Sequence, residues 1–141
     1  MLALKRTLFP VESRHVPGQR GLNIALRTLH LVGIAGIGGG YFYGAEDETW
    51  RLYQGLCVVS GALLALLFVY ISGIWLLQLR GLVILFKLLL YSSIFLWPDL
   101  GVILMIVILI LSGWIAHAPA SIRYYSPIYR RPIERLPEYG D

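Results

Sequence analysis

Two of the three histidines, His30 and His117, stand inside apolar runs, where an imidazole can bind a metal or hydrogen-bond to a neighbouring helix. Gly33 follows His30 at i+3, and Gly113 precedes His117 at i−4. If both runs are helical, each ring has a residue without a side chain one turn away on its own face. That leaves open space beside the ring and suits a flat, bulky ligand lying close to the backbone. Neutral imidazole is a common axial ligand of haem iron, so His30 and His117 are candidate iron ligands for a b-type haem, or contacts for a porphyrin. Arg27 and Lys87 would then neutralise the propionates. The competing reading of His30 is a histidine bonded to a neighbouring helix with no ligand. For Arg27, Lys87 and His117 it is snorkelling to lipid headgroups.

The elements that would position these residues follow from hydropathy. The chain has 141 residues, is 57% hydrophobic and 14% charged, and has a mean hydropathy of +0.70. A soluble domain of this length needs more charged surface than that. Four apolar segments, about 22–44, 53–77, 81–97 and 100–118, each approach the ~20 residues that a helix needs to cross a bilayer. The connectors AEDETWR, QLR and PD are short, which forces sequential helices to run antiparallel. The expected fold is therefore all-α: a four-helix transmembrane bundle over 22–118, preceded by a cytoplasmic segment, 1–21. A basic, Pro- and Tyr-rich cytoplasmic tail, 119–141, follows. Lys5, Arg6 and Pro10 interrupt the first apolar stretch and argue against a signal peptide.

Charge sets the orientation. Lys5, Arg6, Arg14 and Arg20 precede the first segment, Arg80 sits in the second connector, and Arg123, Arg130, Arg131 and Arg135 follow the fourth. Glu46, Asp47 and Glu48 occupy the first connector, and Asp99 the third. The positive-inside rule places both termini and Arg80 in the cytoplasm. On that topology His30 lies roughly 12 Å and Lys87 roughly 9 Å from the cytoplasmic ends of their helices, at 1.5 Å per residue. Arg27 and His117 share the same inner half. His30 is too short to snorkel and is expected to face helices three or four.

Several chemistries are disfavoured. Apart from an initiator Met1, the soft ligands are Cys57 and Met105, too few for a Cu(I) pathway. No carboxylate lies within an apolar segment to serve a buried acid–base pair. GIGGGYFYG lacks the Lys-Ser/Thr of a phosphate-binding loop. The tail PIYRRPIERLPEYGD carries its own acids and prolines, so no nucleic-acid partner is expected; anionic lipid is the expected contact. Gly36 and Gly40 form a GxxxG pair through which a second copy, a membrane partner or a neighbouring helix could approach closely.

The stretches LHLVGIAGIGGG, RGLVILFKLLL and LSGWIAHAPASIRYYS resemble the four-helix membrane domain of the copper-resistance protein D superfamily and its relative, the HemJ-type protoporphyrinogen oxidase. His30 and Lys87 stand where that group carries a first-helix histidine and a third-helix lysine. Ile37 replaces a tryptophan common there, and the oxidase's fuller charged set is missing. The resemblance thus implies the fold and a haem or porphyrin site, but not the oxidase activity. Three functions are expected in order: haem or porphyrin binding in electron transfer or tetrapyrrole handling, an accessory or assembly subunit, and, disfavoured, copper or solute transport. Each places the chain in a bacterial inner membrane.

Overall fold

The computed structural model describes residues 7–137. It contains α1 (Gln19–Tyr43), α2 (Asp47–Ile71), a 3-10 turn (Gly73–Leu77), α3 (Leu79–Ser93), a second 3-10 turn (Pro98–Leu100) and α4 (Gly101–His117). A single helical turn, α5 (Ala120–Arg123), and two antiparallel two-residue strands, β1 (Tyr125–Ser126) and β2 (Arg131–Pro132), complete it. Three helices are long and apolar enough to cross a membrane: α1, α2, and α4 together with the turn before it. α3 has 15 residues, about 22 Å at 1.5 Å each, against a hydrocarbon core of ~30 Å.

The boundaries correct the hydropathy reading in the second and third helices. The second helix begins at Asp47, six residues before the expected 53, because Asp47 and Glu48 form its first turn. Carboxylates there are stabilised by the unpaired N–H groups and the helix dipole, which hydropathy does not count. The same helix ends at Ile71 instead of 77: Ser72 is extended and its Oγ accepts from the Ile74 N–H at 3.4 Å, starting the 3-10 turn. The third helix correspondingly runs over 79–93, not 81–97. α1 stops at Gly44, whose φ of 59° is the left-handed conformation that closes many helices.

The chain forms two compact units, one of His15–Leu67 and one of the residues up to Arg14 and from Phe68 onward. In the first, α1 and the start of α2 form an antiparallel hairpin. Its seam on α1 is Leu26, His30, Gly33, Ile37 and Gly40, the i, i+3/i+4 stripe of one helical face. In the second unit, α3 runs antiparallel along α4, with Val83, Ile115 and Ala118 as a buried cluster extended by Leu79, Leu111 and Ile122.

The tail is a structure of its own. Ile133 and Leu136 are buried against Ile74, with Phe9, Leu77 and Tyr129 around them. Residues 119–137 are thus folded onto the α2–α3 connector, where the charge pattern predicts a tail lying on lipid. Residues 138–141 are outside the described residues, as are Lys5 and Arg6 of the positive-inside count.

Arg14 ties the N-terminal segment to the same end. Its backbone N–H donates to the Ile71 carbonyl at 2.9 Å, and Nη1 donates to the Tyr70 carbonyl at 2.6 Å. Nη2 reaches the Thr7 carbonyl at 2.6 Å, and the guanidinium lies 5.2 Å from the centre of the Tyr70 ring. The last carbonyls of a helix lack intrahelical donors and carry partial negative charge, so a cation here caps α2. Arg14→Gln is expected to cost about 1 kcal/mol and to lower the melting temperature in detergent. Arg14→Lys, which keeps the charge and loses the fork, should fall between.

Candidate functional site

His30 is held by α2. Its Nδ1 lies 2.9 Å from the Cys57 carbonyl oxygen and 3.3 Å from Ser60 Oγ. A carbonyl only accepts, so Nδ1 carries the hydrogen. Ser60 Oγ, itself donating to the Leu56 carbonyl at 2.6 Å, presents a second acceptor to the ring. Cys57 Sγ is 3.7 Å away. The described partners of His30 are therefore on the second helix, where the depth argument points to the third or fourth.

The glycines also act differently from expectation. A Cβ at Gly33 would stand 2.6 Å from the Cys57 backbone nitrogen, so this buried glycine lets the α2 backbone approach and opens no space beside the imidazole. The residue that accommodates the ring is Gly61 on α2, where a Cβ would come within 2.9 Å of His30 Cε1. Gly36 and Gly40 face the Tyr53 and Trp50 side chains of α2, which occupy the positions their Cβ atoms would take. The neighbouring helix expected on this Gly36/Gly40 face is α2 itself. Trp50 also meets Tyr41, with ring centres 5.4 Å apart.

The α1 backbone meets Cys57 of α2 at Gly33, and the α2 backbone lies against the imidazole at Gly61. Among the described residues no three His, Cys, Asp or Glu side chains converge. His117 is exposed on α4 and its Nδ1 lies 2.8 Å from the Gly113 carbonyl, the ring folding back on its own helix. Around Gly113 itself there is open space. Lys87 Nζ donates to Ser112 Oγ at 2.8 Å, and Ser112 donates onward to the Ile108 carbonyl at 2.7 Å, so this lysine links α3 to α4. Arg27 is exposed and lines an open cleft of about 610 Å³ at the start of α1 with His15, Arg20 and Asn23.

A second cluster of polar groups lies where the spacing of histidines does not suggest one. Gln78, 1% exposed, sits where the 3-10 turn meets α3. Its Nε2 donates to the Ile133 carbonyl of the tail, and its Oε1 accepts from Arg80 Nε at 2.6 Å. The Arg80 guanidinium lies 4.8 Å from the centre of the Tyr124 ring. Beside them is a cavity of about 230 Å³ lined by Ser13, Ser72, Trp75, Gln78, Arg80 and Glu134, among others. Gly81 lies directly under Trp75, whose ring and carbonyl fill the space a Cβ would need. The available sequence signal is the polar QLR between two apolar runs, together with the apolar positions of PIERLP.

Against known protein families, curated proteins and solved structures, the chain matches none. The class defined by the fold is a helical membrane protein, on the strength of its three apolar helices of spanning length.

Proposed function

We propose that this is a four-span protein of a bacterial inner membrane that acts as a non-catalytic accessory or assembly subunit. One observation carries the reading: two ionisable groups deep inside the apolar helices, His30 and Lys87, hydrogen-bond to an adjacent helix and so serve helix assembly. Interhelical hydrogen bonds of this kind are a recognised adhesive between membrane helices. The fourth span is supported by α3 lying antiparallel along the spanning α4, from Val83 beside Ile115 to Lys87 beside Ser112. Its outward Leu85, Phe86, Leu88 and Leu89 are exposed large apolar residues, as lipid contact requires. An even number of spans is supported by the N-terminal segment, the Arg80 connector and the tail belonging to one end of one unit.

Reporter fusions are expected to place both termini and Arg80 in the cytoplasm, and Glu46–Glu48 outside. Termini on opposite sides would remove the four-span reading. For the function, purification in mild detergent should yield a colourless protein that travels with a larger membrane complex. A Soret band lost in His30→Ala would overturn the accessory reading in favour of haem binding.

A further inference from the structure

The α2–α3 connector is covered from both ends of the described chain, and the two covers meet. Gly73 opens the 3-10 turn and lies against the N-terminal segment. A Cβ there would stand 2.6 Å from the Leu8 carbonyl oxygen and 3.4 Å from Cε1 of the Phe9 ring. The next residue, Ile74, carries the tail, because Ile133 and Leu136 are buried against it. Phe9 packs against that same cluster. One small apolar core therefore takes side chains from the N-terminal segment, the connector and the tail. Its members shield one another from water, so losing one uncovers the rest.

The polar contacts fix each cover internally and to the connector. Arg14 closes the N-terminal segment by bonding the Thr7 and Tyr70 carbonyls through its guanidinium and the Ile71 carbonyl through its backbone N–H. The two guanidinium bonds lie at the exposed surface. In the tail, the Ile133 N–H donates to the Tyr124 carbonyl at 3.0 Å, and its own carbonyl accepts from Gln78 Nε2. Segments held by a small apolar cluster and by solvent-exposed hydrogen bonds open locally, at far less free energy than the helices they cover.

We propose that the N-terminal segment and the tail form one cooperative clamp on the α2–α3 connector, in which undocking either end releases the other. Residues 7–14 and 124–136 open as a unit while α3 and α4 stay folded. The clamp is thereby a switch between the two ends of the chain. A partner that takes up the tail frees the N-terminal segment, and one that takes up the N-terminal segment frees the tail. Such reciprocity is required wherever two sites share one coupling free energy. The clamp stands on packing within one compact unit and is independent of the accessory-subunit reading.

Amide hydrogen exchange of the full chain in detergent is the test. The reporters are the N–H groups of Arg14 and Ile133, which donate to the Ile71 and Tyr124 carbonyls. Leu136→Ala truncates a tail side chain that is only 3% exposed. It is expected to speed exchange at Arg14, in the other segment, by about tenfold or more, as loss of a buried leucine commonly does to the opening it restrains. Phe9→Ala, made from the opposite side, should speed exchange at Ile133 by a similar factor. In both variants the amides from Val83 to Lys87 and from Ile108 to Ile115 should keep their rates. Faster exchange confined to the tail in Leu136→Ala, or to the N-terminal segment in Phe9→Ala, would mean two independent covers and overturn the proposal. Unchanged rates at both reporters would do the same. Loss of protection along α3 and α4 in both variants would also overturn it, since the clamp would then be part of the helical core.

Discussion

His30→Ala is expected to destabilise the protein in detergent, whether or not any chromophore is present. The substitution removes the hydrogen bond to the Cys57 carbonyl and the acceptor contact with Ser60. It also leaves the surface of Gly61 without the ring that covers it. Interhelical hydrogen bonds in membranes are worth about 1–2 kcal/mol at most, and the lost packing adds to that. The melting temperature should fall by several degrees, and α1 should become more accessible to protease. His30→Asn supplies an amide N–H near the position of Nδ1 and should recover part of the loss. His30→Phe fills the volume without the donor and should recover a different part, so the pair separates hydrogen bonding from packing. Stability unchanged in His30→Ala would remove the role of this histidine in helix assembly.

Gly33→Leu should be the most damaging glycine substitution within α1. A Cβ there meets the nitrogen, Cα and Cβ of Cys57 at 2.6 to 2.8 Å, and backbone cannot move aside as a side chain can. Overpacking of this kind costs about 1–3 kcal/mol and sometimes more, and here it would force α1 and α2 apart. Gly36→Leu follows, because the Cβ and near ring atoms of Tyr53 occupy its place. Gly39→Leu is the control: nothing lies within 4 Å of a Cβ at that position, and replacing glycine favours the helix. Circular dichroism with thermal melting would rank the three. Equal tolerance of Gly33→Leu and Gly39→Leu would mean that α1 and α2 do not approach as described.

The membrane class and the helices were legible in the sequence because both depend on composition within a window. Leu, Ile and Val over 17 to 25 residues make a spanning helix whatever surrounds them, and α1, α2 and α4 appear where hydropathy puts them, to within a few residues at most ends. The prominence of His30 and Lys87 was legible for the same reason, since an ionisable group in such a run must find a partner. Which partner each finds is a matter of register between helices, and that comes from packing. Gly33 reads identically as space for a ligand and as space for Cys57; only the approach of the α2 backbone decides between them. Likewise the prolines and charges of the tail describe a polar segment, while its burial of Ile133 and Leu136 depends on Ile74, about sixty residues earlier. Gln78 is one glutamine among polar neighbours until its amide meets the Ile133 carbonyl on one side and Arg80 on the other. Sequence alone determined where this chain is apolar and where it is charged, because those are properties of residues taken singly or in short runs. The tertiary structure decided what His30 bonds to, what the glycines admit and where the polar cavity lies, because each of those is a property of two distant segments brought to within a few ångströms.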